Sequence, residues 1–254
     1  MSRFDFEDVF GENYLHFYLP ALDPTRSRNE ADEIVATLSL EAGSRVLDAP
    51  CGHGRISNLL AGDGFDVTGI DQSQLFLDLA AADATEAGVH PLYLRGDLRE
   101  LPLDESQAGS FDAVVCWFTS FGYFDDDGNR EVLRQFRRAL RPGGMLLLET
   151  IHRDSFIRHF SPAPFANVTR AGDEQQDLEI DQTTFDSEIG SLRTERTIVR
   201  DGQVSTHVFT IRLPALTELR EWLAEAGYSR VTFQSRKGEP LTLDTRRLVV
   251  LAEA

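Results

Sequence analysis

Between residues 45 and 151 the chain repeats one unit, an apolar run, a turn and an amphipathic run, and this alternation leaves few folds open. Strands are expected over 46–49, 65–70, 91–95, 111–117 and 145–151, with helices over 56–61, 73–87 and 128–140. Strands joined by helical crossovers require a parallel sheet with right-handed connections. The alternation stops at His152. Residues 152–166 read as a helix and a Pro-broken loop, and three alternating segments follow over 177–186, 191–200 and 203–213. The turns Glu188-Ile189-Gly190 and Asp201-Gly202 separate them, and Asp-Gly between β-patterned runs signals a hairpin. A helix over 216–226 and strands over 229–234 and 246–252 complete the chain, the last two pairing as an antiparallel edge.

Residues 1–40 carry Phe4, Phe6, Phe10, Tyr14, Phe17 and Tyr18, then a helix over 32–38. Such an arm either packs into the core or forms a lid over a ligand. The expected organisation is an N-terminal helical arm or lid (1–40), a core of 41–151 with 214–254, and an antiparallel β insertion (152–213) capping the acceptor. The class is α/β.

Charge narrows the partners. A net charge of −17, with no strip of clustered Lys or Arg, repels phosphate backbones, so nucleic acid is not expected as a partner. Lys237 is the only lysine, and nothing around it supports a Schiff base or a P-loop. Cys51 and Cys116 offer no disulfide framework and no metal spacing. No apolar run approaches the roughly 18 residues of a membrane span. The acidic start lacks an apolar secretion core, so a cytoplasmic protein without a membrane partner is expected.

The stretch Asp48-Ala49-Pro50-Cys51-Gly52-His53-Gly54-Arg55 joins the first strand to the first helix. Strand, glycine turn and helix make a nucleotide-binding geometry, because glycine admits close backbone approach and the first amides of the helix face the ligand. The spacing is not the dinucleotide G-x-G-x-x-G. Asp48, at the strand end, is placed to accept from a cationic amine.

Four blocks, Asp48–Arg55, Gly96–Arg99, Thr119–Phe124 and Arg138–Gly144, stand in an order that resembles the class I S-adenosylmethionine-dependent methyltransferases, and the bacterial small-molecule subgroup most closely. The resemblance spans nearly the whole chain. It implies a Rossmann-like, seven-stranded, mostly parallel sheet with an antiparallel last strand, and S-adenosylmethionine as cofactor; no metal is expected, since the run Asp125-Asp126-Asp127-Gly128 lacks the spacing of a calcium site and reads as a helix start. It implies that Asp48, Pro50, Cys51, Gly52, Gly54 and Arg55 surround the methionine part. Asp71, 23 residues after Asp48, would accept from both ribose hydroxyls. Gln72 and Leu98 would cover the adenine, Asp97 would accept from its amino group, and Cys116 and Trp117 would line the methionine side.

Methyl transfer is an in-line displacement that needs alignment, a dry site and, for some nucleophiles, a base. The base candidates are His152, after the fifth strand, and His16 with Tyr14 on the arm; His53, His159 and His207 rank behind them. Ser120, Phe121, Tyr123 and Phe156 are expected at the acceptor, under an apolar roof that also uses Phe160, Phe165 and Phe209. An apolar roof favours a small organic acceptor. A nicotinamide-dependent dehydrogenase and a non-methylating or pericyclic-type protein on the same fold are the rival readings. The methylated atom (O, N or C) and the assembly, a homodimer among the options, stay open.

Overall fold

The computed structural model describes residues 6–171 and 175–254. Phe4 of the arm lies outside the described residues. The parallel strands are β1 (Arg45–Asp48), β2 (Asp66–Asp71), β3 (Leu92–Arg95), β4 (Phe111–Cys116) and β5 (Leu140–Ile151). With β10 (Arg230–Gln234) and β11 (Arg247–Glu253) they form one sheet in the order β10-β11-β5-β4-β1-β2-β3. The last strand, β11, runs antiparallel to both neighbours, so β10 returns to the direction of the rest. β1 pairs with β2 and β4 at its edges, while the helices packed on either side of the sheet bury Leu47 on one face and Val46 on the other, so it reads as apolar on both.

Helices cover both faces. α6 (Asp126–Ala139) and α8 (Leu216–Glu225) pack Leu133, Phe136, Leu219 and Trp222 onto one. α3 (Pro24–Leu38) and α4 (Arg55–Gly62) pack Ile34, Ile56 and Leu60 onto the other. Helix α5 (Gln74–Ala87) joins β2 to β3, capped by Ser73 at its start and by left-handed Gly88 at its end. The run Asp125-Asp126-Asp127 opens α6, with the Asp125 side chain accepting from the Gly128 amide at 2.9 Å.

The insertion begins with α7 (Arg153–His159) and then builds a second sheet, β6 (Phe165–Ala171), β7 (Gln175–Asp186), β8 (Ser191–Arg200) and β9 (Gln203–Arg212), in that order and antiparallel throughout. Strand β6 was not expected: Pro162 and Pro164 mark 161–164 as loop, and they stand just before the first strand residue, where no ladder amide is needed. Helix α3 starts at Pro24, earlier than the expected 32, because Asp23 caps it (Arg26 amide to Oδ1, 2.9 Å) and Pro24 suits a first helical turn. The arm also divides. Helix α3 packs on the core, whereas α1 (Phe6–Val9) and α2 (Glu12–Tyr18) lie against the second sheet, Val9 joining Leu192, Phe209 and Ile211 in a small cluster.

Candidate active site

A cleft of about 1540 Å³ opens between the C-terminal ends of the parallel strands, helices α1 and α2, and the inner face of the second sheet. Small-molecule sites run to roughly 300–1,000 Å³, so the space accommodates two ligands side by side.

The sheet side is built from strand ends. Asp71 ends β2, with Oδ2 accepting from the Gly52 amide and Oδ1 from the Ser73 amide, both at 2.9 Å. Each oxygen keeps a lone pair for a further donor. Burial pushes its carboxyl up, and these amide bonds pull against that. Gly52 holds a left-handed φ of 55°, and a side chain there would meet nothing within 4 Å, so the turn faces open space. Asp48, buried at the end of β1, accepts from the Ser57 hydroxyl at 2.6 Å. Burial raises it to about 7, against the Ser57 bond and the nearby Arg55 charge. Arg55 opens α4, with Nη2 2.6 Å from Glu30 and with Nη1 buried and lacking a hydrogen-bond partner. Pro50, Cys51, Gln72 and Leu98 line the same wall. Asp97 also lines it, but its carboxylate is occupied by the Arg99 amide (2.8 Å) and guanidinium (2.6 Å), which hold it below the usual range.

Beyond β4 the chain turns sharply. Phe118 and Thr119 hold φ of 63° and 60°, conformations that a residue with a side chain rarely adopts. Glu149, fully buried on β5, holds them: its Oε2 accepts from the Phe118 amide at 3.0 Å and its carbonyl from the Thr119 amide at 3.2 Å. Arg247 clasps Glu149 and donates to Thr119 Oγ1 at 2.5 Å. The turn delivers Trp117, Phe118, Thr119 and Ser120 to the cleft, with Ser120 Oγ donating to the Trp117 carbonyl at 2.8 Å.

The opposite wall comes from the arm and the second sheet. Tyr14 stacks on Tyr18 (centroids 4.8 Å, 9°) and leans on Phe76 of α5, so it stands between the two halves. Burial raises the hydroxyls of Tyr14, Tyr18 and Tyr123, and all three line the cleft. Phe156 lines it too, against Phe160 and Phe185. The roof is not wholly apolar. Asp177, Glu179 and Asp181 alternate along β7 and face inward. Arg196 of β8 bonds Asp181 bidentately (2.8 and 2.7 Å), pairs with Glu179 (3.2 Å) and donates to the Tyr18 hydroxyl (2.8 Å). A period-2 strand with acids on its buried face inverts the usual pattern, and that inversion was the missed signal. Phe209 is buried beside it, whereas Phe165 stands exposed at the rim.

Five expected site residues do not line the cleft. Cys116 and Phe121 are buried in the core beneath the sheet. Gly54 turns toward α5, where a Cβ would press on Ala80 and Tyr93, so its role is close packing of helix on helix. His16 points away along the second sheet and pairs with Asp177 at 2.9 Å. His152, 3 % exposed, is held by its amide to the Arg246 carbonyl and by Nδ1 to the Thr245 carbonyl, each 3.0 Å, which turns the ring from the cleft. His53 and His159 line the cleft instead. Burial and the Arg55 charge lower His53 to about 4 and keep it neutral, and His159 Nδ1 is taken up with the Ser155 carbonyl at 2.8 Å. His207 sits on β9 near Ser205.

Residues 46–144 match the family model of a methyltransferase domain. A ubiquinone biosynthesis O-methyltransferase of Xanthomonas oryzae pv. oryzae is 36% identical over 148 residues, 58% of this chain and 55% of that protein. The chain thus spans about half the length of the curated relatives it matches. Among solved structures, an S-adenosylmethionine-dependent methyltransferase from Clostridium acetobutylicum superposes with a TM-score of 0.76 at 17% identity, over 98% of this chain and 99% of that one. The sugar N-methyltransferase KedS8 from Streptoalloteichus sp. gives 0.72 at 17% identity, over 100% and 94%. No helix among the described residues is long and apolar enough to cross a membrane. Residues 46–144 thus match a methyltransferase domain, and the strand order with its reversed last strand gives the chain the fold of the S-adenosylmethionine-dependent methyltransferase structure.

Proposed function

We propose that the chain transfers a methyl group from S-adenosylmethionine to a nucleophilic O, N or C atom of a small molecule. The observation that carries this reading is Asp71, whose two oxygens are oriented by backbone amides at the mouth of a glycine turn and keep free lone pairs toward a cleft with room for two ligands. Such a carboxylate suits a ribose diol. Asp48 suits an ammonium group, the open face of Gly52 admits a close-lying tail, and Gln72 and Leu98 suit an adenine edge. Asp97, committed to Arg99, would have to share its carboxylate to accept from an adenine amine.

A bound sulfonium supplies an electrophilic methyl carbon. The chain's part is to align the acceptor with it and to exclude water, which the Tyr14–Tyr18 stack and the second sheet are placed to do. Tyr14 and Tyr123 are the hydroxyls at the acceptor side; with pKa values pushed up, they act as hydrogen-bond donors rather than as bases at neutral pH. His152 and His16, turned from the cleft, serve the structure around it. An amine that arrives neutral attacks without a base and gives up its proton afterwards to water, whereas a hydroxyl or carbon nucleophile has to lose a proton as it is methylated.

Incubating the chain with methyl-labelled S-adenosylmethionine and a panel of amines, phenols and hydroxy compounds tests this. Labelled product with stoichiometric S-adenosylhomocysteine is expected. Tight binding of the sulfonium with no turnover on any acceptor would favour a non-methylating protein, and binding of NAD in its place would favour a dehydrogenase.

A further inference from the structure

Two neighbouring hydroxyls in the turn after β4 present opposite polarity to the cleft. Thr119 Oγ1 lies 2.5 Å from Arg247 Nη2. A guanidinium only donates, so Thr119 is the acceptor in that bond and its own proton is directed elsewhere. Among the described residues that hydroxyl makes no other hydrogen bond, and Thr119, half-buried, lines the cleft. Ser120 is the reverse. Its proton goes to the Trp117 carbonyl at 2.8 Å, which leaves lone pairs for the cleft that it also lines. One residue offers a donor and the next an acceptor.

The polarity is set from behind. Glu149 clasps Arg247 through both carboxylate oxygens and also accepts from the Phe118 amide, so it is taken up with the turn and is not a free base. Phe118 and Thr119 hold φ of 63° and 60°, and residues with side chains keep such a conformation only where their surroundings impose it. Phe118 lies under the Arg55 guanidinium at 5.3 Å, beside the glycine turn, and Tyr123 further on meets Phe10 of the arm at 5.3 Å. Thr119 and Ser120 therefore stand between the two walls of the cleft.

A donor and an acceptor side by side sort nucleophiles. An alcohol or phenol oxygen carries one hydrogen and two lone pairs. The hydrogen suits Ser120, one lone pair takes the bond from Thr119, and the second is left to attack. A neutral amine has a single lone pair, and a bond from Thr119 would occupy the pair that must attack.

We propose that Thr119 and Ser120 bind and orient the acceptor as an oxygen nucleophile, an alcohol or a phenol, with Arg247 and Glu149 as positioning residues. The acceptor oxygen forms a bond to the methyl carbon, the carbon–sulfur bond breaks with its electron pair going to sulfur, and the hydroxyl proton leaves to water at the cleft mouth. This rests on the methyl-transfer reading above.

The test compares matched pairs at neutral pH, p-cresol with p-toluidine and p-phenylphenol with p-aminobiphenyl, using the full chain and labelled S-adenosylmethionine. The anilines are uncharged there and are the better nucleophiles in free solution, so an excess of phenol turnover reports the site. That excess is expected. Thr119→Val should cut the phenol-to-aniline turnover ratio about tenfold, and Thr119→Ser should restore it. Neither should change the Kd of S-adenosylhomocysteine in calorimetry, whereas p-phenylphenol should bind Thr119→Val more weakly when that ligand saturates the chain. Arg247→Lys, whose single ammonium cannot clasp Glu149 and Thr119 together, should lower the same ratio. Where Thr119→Val does not fold, Ser120→Ala takes its place with the same expectation. Faster aniline turnover by the unmodified chain, an equal loss of both activities in Thr119→Val or Ser120→Ala, or no rescue by Thr119→Ser overturns the proposal. No product from any of the four compounds defeats the methyl-transfer reading itself, a separate outcome.

Discussion

At the scale of the residue, two carboxylates at strand ends are asked to do different work. Asp71 is pre-oriented by two amides, so a diol meets an acceptor that needs no rearrangement. Asp71→Ala should weaken S-adenosylhomocysteine more than tenfold in calorimetric titration, because two charge-assisted bonds disappear; an unchanged affinity contradicts the assignment. Asp48 carries a pH signature. Its pKa of about 7 means that the ligand-free fold holds a proton which the unfolded chain releases near 4, so its contribution to stability falls as pH rises from about 4 to 7. A cationic ligand amine favours the ionised form. Affinity for S-adenosylhomocysteine should therefore rise with pH and level off above about 7, and Asp48→Asn should make that rise shallower; an unaltered profile would remove Asp48 from the tail site. Both aspartates were legible in the sequence from their places at strand ends. Glu30, Glu149 and Arg196 were not, since a lone charged residue in a helix or strand carries no sign of the partners that bury it.

Among the elements, helix α2 is tied to the second sheet by two hydrogen bonds, Arg196 to the Tyr18 hydroxyl and Arg200 to Asn13 Oδ1, with His16 Nε2 lying 2.9 Å from Asp177. Tyr14, on the same helix, reaches across to Phe76 of the core. The helix and the second sheet therefore form one wall that meets the sheet end through an aromatic contact. Arg196→Met strips the partner from Glu179 and Asp181 at once. Removing one side of a buried ion pair costs about 3–5 kcal/mol, so chemical denaturation should show a loss of that order, together with faster amide exchange over residues 12–18. Loss of stability without faster exchange there would mean that the tie does not hold the helix. The hairpins β7–β8 and β8–β9 were readable from their turns, Asp201-Gly202 above all. The two helices of the arm were not assigned to the second sheet, because an aromatic-rich segment carries no record of which surface it covers.

For the whole molecule, the cleft exists only because the core and the second sheet face each other with the arm between them. A ligand that bridges these parts should stabilise all of them together. Saturation of S-adenosylhomocysteine at a hundred times its Kd should add about 2.7 kcal/mol, which for a chain of this size is a rise in Tm of roughly 5–10 °C; NAD at the same concentration should leave Tm unmoved. A Tm equally raised by NAD would point to a general nucleotide cleft. The alternation of strand and helix, the glycine turn and the acidic residues closing β1 and β2 are local patterns, written in periods of two and near four and in residues whose backbone freedom is their own. They determined an α/β sheet and the end of it where ligands bind. Which residues reach the cleft was decided by tertiary structure alone: His152 and Cys116 stand at strand ends just as Trp117 and Asp71 do, yet a carbonyl turns the first away and the core closes over the second. The physical reason is that a strand's period says which face a side chain takes, whereas only the packed neighbours say what lies on that face.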